Sequence, residues 1–413
     1  MKTILTGKHI VLGVCGGIAA YKSVELLRLL QKAGADVWVI MTANAENFVG
    51  PMTFEAISGH PVFIGMYGKH QDAEMRHISW AEAADAVVIA PATANIIGKL
   101  ACGIADDALT TFMLAATAPK ILCPSMNTHM YENRAVQRNL DILEGDGFMI
   151  VEPGEGELAC GAVGAGRLPE SAFIADRVAE CFYPKDLKGK KVMVTAGPTR
   201  EPIDPVRFVS NPSSGKMGYA LAHAAAARGA EVLLISGPTA LSCPFGVHRI
   251  DVITASEMAD AVFEHADAMD IIVKVAAVSD YTPSETSPHK IKKGQDGISI
   301  SMKRTVDILE ELGRRKTNQV LVGFAAETRD LETYAAAKLK QKNLDLIAGN
   351  LVIGPASGFC SDDNKIKLFY QDGGIEDLPL MDKDAVAHVI FDRIRDRIPC
   401  PAISSIKGTP LDV

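Results

Sequence analysis

The sequence predicts an α/β protein with two Rossmann-like domains, each built on a mainly parallel sheet. The chain has 413 residues, which at about 150 residues per domain corresponds to two or three domains. Short apolar runs alternate with segments of helical periodicity along the chain. The order strand, glycine turn, helix, strand starts twice, at His9 and again at Lys191. Strands that alternate with helices favour parallel sheets covered by helices on both faces.

The first half opens with the apolar run HIVLGV, which predicts a strand that ends in glycines. In the next segment Val24, Leu27 and Leu30 recur at helical spacing, and DVWVIM then predicts a second strand. These elements form one right-handed βαβ unit. Further strands are predicted at 86–90, 120–123 and 148–151.

The second half repeats this plan with KVMVTAG, the helical segment SSGKMGYALAHAAAARGA and the strand EVLLISG. Further strands are predicted at 270–275, 319–325 and 344–350. Between the halves, the short polar segment YPKDLKGK places the domain boundary near Asp186. We therefore predict domains at residues 1–186 and 187–400, followed by a tail at 401–413 that lacks periodicity and is expected to be loose.

Composition and charge exclude several classes of protein. Hydrophobic residues make up 48% and charged residues 22% of the chain, which is ordinary globular usage and argues against disorder. The net charge of −8 argues against nucleic acid or an anionic membrane as the main partner. The eight cysteines show no CxxC spacing, so neither a zinc site nor a disulfide framework is indicated. Apolar windows fall short of the roughly 20 residues of a membrane span, and MKTILTGKH lacks a signal-peptide core, so we expect a cytoplasmic protein.

Glycines after the first predicted strand indicate an anion site, because ligands of open parallel sheets bind beyond the carboxyl ends of the strands. The backbone N–H groups of Gly13, Gly16 and Gly17 can approach a phosphate at the start of the following helix. Their GxxGG spacing departs from GxGxxG and disfavours a nicotinamide cofactor. The polar loops 42–47 and 90–107 suit a phosphorylated cofactor with many polar edges. A plain strand-to-helix turn is the alternative.

Two further side chains are candidates for chemistry in this half. Asn127, in PSMNTHMYENR, follows a predicted strand and can offer its amide to a carboxylate, although helix capping is the simpler role. His77, in MRHISW, precedes a polar helix start and is either a base or a structural residue.

The glycine-rich segment 153–169 is predicted to form neither strand nor helix but a flap able to close over a ligand. Cys160 lies within it, and a thiol on a flap is well placed to exchange a proton. The alternative is a flexible loop with an incidental cysteine.

The motifs GGIAAYK, HISW, APATANIIGKLACGIADD, PSMNTHMY and GELACGAVGAGRL, in this order, closely resemble the flavoprotein phosphopantothenoylcysteine decarboxylases of coenzyme A biosynthesis over residues 6–182. The resemblance implies an FMN-dependent oxidative decarboxylation of 4'-phospho-N-pantothenoylcysteine to 4'-phosphopantetheine. It implies His77 as the base, Asn127 as the group that holds the substrate carboxylate and Cys160 as the proton donor. It also implies an FMN site formed by Gly13, Gly16, Gly17, Thr42, Ala92, Thr93 and Asn95.

In the second half, NPSSGKMG contains Gly-Lys at a predicted helix start, but Ser210 and Met217 occupy the places where a P-loop needs Gly and Ser or Thr. The serines and the helix start can still bind phosphate. The basic cluster HKIKK at 289–293 is either a solvated charge run or a triphosphate clamp. Lys338 and Lys342 lie one turn apart on a predicted helix after GFAAET.

The motifs AGPTREPIDPVRFVSNPSSGKMG, KVAAVSDYTP, KIKK, GFAAET and KNLDLIAGN resemble phosphopantothenate-cysteine ligase over residues 190–398. The two activities are commonly fused in this order in bacteria, so the resemblance covers one bifunctional protein. It implies CTP and a divalent cation, Mg2+ or Mn2+. It implies that Asn211 binds the carbonyl of an acyl-cytidylate and that Lys290 serves the attack by cysteine. The implied CTP site comprises Ala276, Asp280, Lys290, Val306, Asp307, Ile308, Leu309, Phe324, Lys338 and Lys342.

Several alternatives stay open at the level of the sequence. Val306 stands where the family usually has proline, and the residues alone do not distinguish CTP from ATP. The resemblance further implies homo-oligomers, with trimers of the first domain assembling into a dodecamer and dimers of the second. A different flavin-dependent cysteine decarboxylase, a non-catalytic flavin-binding regulator and a nicotinamide-dependent reductase are the competing functions.

Overall fold

The computed structural model describes residues 4–66, 76–157, 161, 163–293, 298–327, 330–351, 361 and 363–398. The chain divides into two compact units, Met1–Tyr183 and Pro184–Val413. Each unit contains a mainly parallel sheet with helices packed on its two faces, and the predicted fold class is confirmed.

The first unit has a five-stranded sheet of order β2-β1-β3-β4-β5, in which all neighbouring strands are parallel. Its strands are β1 (His9–Val14), β2 (Asp36–Met41), β3 (Ala86–Ala92), β4 (Lys120–Pro124), β5 (Phe148–Ile150), β6 (Gly154–Glu157) and β7 (Val163–Arg167). Its helices are α1 (Ala20–Lys32), α2 (Pro51–Ser58), α3 (Arg76–Ala83), α4 (Ala94–Ala101), α5 (Ala108–Ala115), α6 (Thr128–Tyr131), α7 (Arg134–Gly145) and α8 (Ser171–Glu180). Every strand predicted in this half is present.

The core of this unit lies on both faces of the sheet, as the period of a strand requires. Ile10, Leu12 and Val14 of β1 pack into one hydrophobic cluster, whereas Val11 packs into the other. All residues of β3 are buried, which explains why this strand is a continuous apolar run rather than an alternating one.

The described residues of the glycine-rich segment 153–169 include two strands, and the prediction that this segment forms neither strand nor helix is wrong. β6 and β7 pair antiparallel, with Gly156 opposite Gly164. A glycine is needed where this hairpin meets the loop after β4. Gly166 has a φ of 145°, and a Cβ there would lie 2.1 Å from the carbonyl oxygen of Met126. The missing side chain lets the hairpin lie directly on the backbone that follows β4.

The second unit has an eight-stranded sheet of order β12-β11-β8-β13-β16-β17-β19-β20. Its strands are β8 (Lys191–Ala196), β9 (Arg200–Pro202), β10 (Phe208–Ser210), β11 (Glu231–Ser236), β12 (Val247–Asp251), β13 (Ile271–Lys274), β14 (Tyr281–Pro283), β15 (Met302–Arg304), β16 (Val320–Glu327), β17 (Leu346–Leu351), β18 (Asp363–Asn364), β19 (Ile366–Tyr370), β20 (Ile375–Asp377) and β21 (Met381–Asp382). Its helices are α9 (Lys216–Ala227), α10 (Ala255–His265), α11 (Ile308–Arg315), α12 (Leu331–Gln341) and α13 (Lys383–Arg395).

The five predicted strands of this half form the parallel part of the sheet from β11 to β17, and β12, which was not predicted, continues it in parallel fashion at the β11 edge. Strands β19 and β20 extend it in antiparallel fashion and were not predicted. Helices α9 and α13 cover one face, and α10, α11 and α12 cover the other. Within the described part of the chain, no helix is long and apolar enough to cross a membrane.

Candidate functional sites

A cavity of about 700 Å³ opens at the carboxyl ends of β1, β3 and β4 in the first unit. Gly16 and Gly17 line it from the turn before α1, Thr93 from the start of α4, and Ser125 and Asn127 from the loop after β4. Loops that follow neighbouring parallel strands meet at one edge of the sheet, which is why segments distant in sequence form one site. The volume falls within the range of about 300 to 1,000 Å³ typical of small-molecule sites.

The three glycines after the first strand have different roles. Gly17 has open space at its Cβ position and lines the cavity, so its backbone is accessible to a ligand. Gly16 also lines the cavity, and a Cβ there would lie 2.6 Å from that of Asn44. Gly13 lies inside β1, where a Cβ would meet the Leu109 side chain at 2.9 Å, so this glycine serves core packing and not a phosphate cradle.

Of the four remaining residues of the implied FMN site, one lines the cavity and three do not. Thr93 lines the cavity, and its hydroxyl caps α4 by accepting from the Ile96 N–H. Ala92 is fully buried at the end of β3. Thr42 precedes a short 3₁₀ helix, and Asn95 is exposed on α4; neither lines the cavity.

Asn127 lines the cavity and also caps α6, since its Oδ1 accepts from the His129 N–H at 2.9 Å. Both roles considered for this side chain are therefore compatible with its position. The hairpin holds the same loop, because the Met126 N–H donates to the Gly166 carbonyl at 3.0 Å. Gly166 and Arg167 of β7 complete this wall of the cavity.

The two other predicted catalytic residues of this unit are not brought to the cavity by the described structure. His77 is half-buried on α3 and is not among the described residues that line the cavity. Cys160 lies outside the described residues, in the connection between β6 and β7. The buried Cys15 is no substitute as an acid near neutral pH, since burial raises the pKa of its thiol to about 12.

A second cavity, of about 540 Å³, lies in the second unit at the carboxyl ends of β13 and β16. It brings together every residue of the implied CTP site except Lys290. The residues that line it are Ala276, Asp280, Val306, Asp307, Ile308, Leu309, Phe324, Lys338 and Lys342, with Lys274, Arg304 and Tyr281 among the additional ones.

Two buried threonines fix the loop that carries this cavity. The Thr195 hydroxyl accepts from the N–H groups of Val275 and Ala276, both at 3.1 Å, and the Thr199 hydroxyl accepts from the Ser279 N–H at 3.1 Å. Thr305 then joins the next segment to it, since its hydroxyl donates to the Ser279 carbonyl at 2.6 Å. The residues around 276–280 and 304–309 are thereby held side by side.

The charged side chains of this cavity are paired across elements. Asp307 caps α11 by accepting from the Glu310 N–H at 3.0 Å, and it accepts from Lys342 Nζ at 2.6 Å. Burial alone would raise the pKa of Asp307, but the Lys342 ammonium and the N-cap hydrogen bond bring it below its ordinary value. Lys338 Nζ donates to Glu327 at 2.8 Å.

A third cavity, of about 350 Å³, adjoins the second and contains Asn211 and the segment Ser213–Lys216. Gly215, with a φ of 79°, precedes α9, so the amino-terminal end of this helix faces the cavity. The Asn211 amide donates to the carbonyls of Ala277 and Val278, at 3.2 and 3.3 Å, which holds it over the loop after β13. The arrangement is suited to an anion even though the segment is not a P-loop.

Lys274 lines both of these cavities, together with Ala276, Val278 and Phe324. Sequence reasoning missed it, although a lysine at the end of the buried strand DIIVK was a signal that could have found it. Burial lowers the pKa of its ammonium to about 8, and the Asp307 carboxylate only partly opposes this shift.

Lys290 is exposed and lines none of these three cavities. Its neighbour Ile291 is held away from them at Asp204, whose carboxylate accepts from the Ile291 N–H at 3.1 Å and from the Arg207 guanidinium at 2.9 Å. The Arg207 guanidinium holds the pKa of Asp204 far below its ordinary value. The described structure thus separates Lys290 from the other predicted nucleotide residues.

No cluster of three or more His, Cys, Asp or Glu side chains suited to a metal occurs among the described residues.

These folds and cavities define an α/β protein of the cofactor- and nucleotide-binding class, with a separate site in each unit. The family model described as Flavoprotein matches residues 1–182, and the model described as DNA/pantothenate metabolism flavoprotein C-terminal domain matches residues 187–398. The chain belongs to the family of bifunctional proteins of coenzyme A biosynthesis.

The chain is 50% identical to the coenzyme A biosynthesis bifunctional protein CoaBC of Bacillus subtilis, over 95% of this chain and 97% of the relative. It is 46% identical to the CoaBC protein of Escherichia coli, over 95% of this chain and 98% of the relative. A crystal structure of the C-terminal domain of a CoaBC protein is 44% identical over 51% of this chain and 97% of that chain, with a TM-score of 0.45. The prediction of a bifunctional enzyme that joins a decarboxylase to a ligase is confirmed.

Proposed function

We propose that the second unit joins cysteine to 4'-phosphopantothenate with CTP and that the first unit decarboxylates the product to 4'-phosphopantetheine. The observation that carries the nucleotide assignment is the convergence of nine predicted CTP residues on one cavity that adjoins the cavity of Asn211. Loops from three distant segments of the chain meet there, next to lysines and the amino-terminal end of a helix.

In the ligase step, the substrate carboxylate attacks the α-phosphorus of CTP, and pyrophosphate leaves with the electrons of the broken P–O bond. A carboxylate is a poor acylating agent, and the nucleotidyl group turns its oxygen into a leaving group. The Asn211 amide then donates to the acyl carbonyl while the amine of cysteine displaces CMP. Lys338 and Lys342 balance the negative charge of the nucleotide, and Mg2+ is proposed to bind mainly through phosphate oxygens.

Lys290 is proposed for the attack by cysteine, as the resemblance implies. Its exposed position in the segment between β14 and β15 means that this segment has to move over the Asn211 cavity before Lys290 can act. The basic cluster at 289–293 is then a group recruited on binding and not part of the preformed nucleotide site.

The first-unit cavity fits FMN on two observations of the chain itself. The Gly17 backbone faces open space, and Thr93 and Ser125 line the same cavity with their hydroxyl-bearing side chains, which suits a phosphate and a polar ring edge. When bound, FMN would supply the two-electron oxidation that gives the substrate carboxylate an electron sink for its loss as carbon dioxide, and the reduced flavin would return these two electrons to the enethiolate, so that the overall reaction is redox-neutral.

The chain's own groups do the rest of the decarboxylation in this proposal. The Asn127 amide orients the substrate carboxylate, and the hairpin of β6 and β7 limits the access of water to it. His77 acts as the base, and the Cys160 thiol returns a proton to the enethiolate carbon. A cytoplasmic location would keep Cys160 reduced.

Homo-oligomers are part of the proposal, with trimers of the first domain, assembled into a dodecamer, and dimers of the second. Large apolar side chains near the first-unit cavity support an interface there, since Ile18 is 65% and Tyr21 61% exposed while both line the cavity. An adjoining subunit would cover this apolar surface.

A coupled assay tests the proposal. Purified protein, phosphopantothenate, CTP, Mg2+ and cysteine are expected to give CMP, pyrophosphate, carbon dioxide and 4'-phosphopantetheine, identified by mass. A preparation that releases no FMN on denaturation would contradict the decarboxylase assignment. Equal turnover with ATP would contradict the nucleotide assignment.

A further inference from the structure

Lys274 occupies a position in the second unit that neither the resemblance nor the family assignment explains. It ends β13, which lies between β8 and β16 in the middle of the sheet. By the alternation of the strand it shares the face of Ile272, where α10, α11 and α12 pack. Its partly exposed side chain is therefore directed towards the cavity that α11 and α12 also line.

The other two lysines of the 540 Å³ cavity have carboxylate partners, at 2.8 Å for Lys338 with Glu327 and 2.6 Å for Lys342 with Asp307. Among the described residues, by contrast, no carboxylate lies within 4 Å of Lys274 Nζ and no hydrogen bond to it occurs. A half-buried ammonium without a carboxylate in direct contact is costly, and the two cavities that it lines provide space for an anion.

The charges of the two cavities indicate how a nucleotide would lie. The 540 Å³ cavity combines the acidic side chains of Asp280, Asp307 and Glu310, which suit the hydroxyl and amino donors of a nucleoside, with the cations Lys274, Arg304, Lys338 and Lys342. The 350 Å³ cavity contains the amino-terminal end of α9, which suits phosphate. A nucleotide that spans both places its α-phosphate at their junction, beside Lys274.

We propose that the Lys274 ammonium binds the α-phosphate of the nucleotide and stabilises the charge on its oxygens while the substrate carboxylate attacks. This inference rests on the proposed ligase function and adds to it a residue that touches the reacting phosphorus group. The charged groups that face Lys274 or line the same cavities are Asp307, Lys342, Asp280, Lys338, Arg304, Glu310, Lys216 and Lys383.

The low pKa of Lys274, about 8 in the free protein, makes the proposal testable through protons. At pH 8.5 most Lys274 side chains are uncharged before binding, and a bound phosphate restores the proton because an adjacent anion favours the charged form. CTP itself takes up no proton, since a terminal phosphate loses its second proton at a pKa of about 6. Binding at pH 8.5 is thus coupled to a net uptake of protons by Lys274.

The experiment is titration calorimetry of the full-length protein with CTP and with CMP, at pH 8.5, in two buffers of different ionisation enthalpy. Lys274→Met is expected to weaken binding of both nucleotides about tenfold or more and to abolish the proton uptake. Lys274→Arg is expected to bind both nucleotides without proton uptake, because arginine stays charged. The control Lys340→Met, an exposed lysine on α12, is expected to match the wild type.

Three results would overturn the inference. Unchanged CTP affinity and proton uptake in Lys274→Met would remove Lys274 from the site. A defect confined to the cysteine step, with normal nucleotide binding, would make it a base for the amine instead. If wild-type protein binds no CTP, the proposed ligase function fails first and this inference fails with it. Should Lys274→Met not fold, Lys274→Arg and the wild-type proton count still decide.

Discussion

The two units have the same kind of sheet but sites of different chemistry. The first-unit cavity is lined by apolar side chains, glycine backbone, hydroxyls and an amide, with Lys22 and Arg167 as its charged side chains among the described residues. The 540 Å³ cavity of the second unit is lined by four cations and three carboxylates: Lys274, Arg304, Lys338, Lys342, Asp280, Asp307 and Glu310. The same topology thus carries one cavity with few charged side chains and one with many, and the two are expected to respond differently to mutation, pH and salt.

The strongest test of this separation is Asn211→Asp. We expect a loss of about 100-fold or more in CMP release, because a carboxylate repels the developing oxyanion that the amide would stabilise. The decarboxylation of supplied 4'-phospho-N-pantothenoylcysteine should keep its wild-type rate, since Asn211 lies in the other unit. Carbon dioxide and CMP release measured on the same preparation check both, and equal losses of the two activities would contradict independent sites.

A backbone change tests the first site in turn. Gly166→Ala places a Cβ 2.1 Å from the Met126 carbonyl oxygen, so we expect the hairpin to shift and the decarboxylation rate to fall about tenfold or more, with ligation unaffected. FMN content and both activities are the measurements.

The matched control for that variant is Gly147→Ala, where φ is also positive but nothing lies within 4 Å of the new Cβ. It should cost about 1 kcal/mol of unfolding free energy and leave both activities unchanged. Similar activity losses in the two variants would show that backbone strain, and not the approach of the hairpin to Met126, is responsible.

Stability against pH distinguishes the charged site. Lys274 has a folded-state pKa of about 8, below the value of about 10.4 for an unfolded chain, so the unfolded state holds more protons between these limits. Its contribution to folding is therefore unfavourable below about pH 8 and disappears as the pH rises past the unfolded value.

Lys274→Met should accordingly stabilise the nucleotide-free protein at pH 7 by about 1 to 3 kcal/mol, and the gain should vanish towards pH 10. Urea unfolding at the two pH values measures this effect. A variant that is destabilised at pH 7 would show that the ammonium is compensated by groups in the free protein.

The smallest expected effect is that of ionic strength. Raising salt from about 50 to 300 mM should weaken CTP binding several-fold, since screening acts on exposed charges around the second-unit cavity. FMN retention should change by less than twofold, because dipoles and hydroxyls depend little on screening. Calorimetry and flavin fluorescence at the two salt concentrations compare them.

Much of the fold was predictable because its signals are local. Apolar runs and helical periodicity identified the parallel strands of both units except β12, and the repeat of the strand–glycine–helix plan identified two similar domains. The antiparallel edge formed by β19 and β20 was missed, since pairing between distant segments has no local signal. The β6–β7 hairpin was missed because glycine-rich composition usually opposes strands, whereas here Gly166 allows a close approach to Met126.

The site residues, too, were predictable where the signal is local and were not where it depends on contacts between distant segments. Residues directly after predicted strands, such as Asn127, Ala276 and Asp280, do line the cavities. Gly13 does not, because the first strand extends one residue past it and its missing side chain makes room for Leu109. Lys290 is kept apart by the attachment of Ile291 to Asp204, a contact between residues 87 positions apart.

The sequence by itself determined the fold class, the two-domain plan and the family, because these depend on periodicity and on ordered motifs. Only the tertiary structure decided that Lys274 stands at the junction of two cavities. That position depends on which strands are neighbours in the sheet and on the threonines that join the loops around it. Sheet order is set by the packing of the whole domain, and no short segment of the chain encodes it.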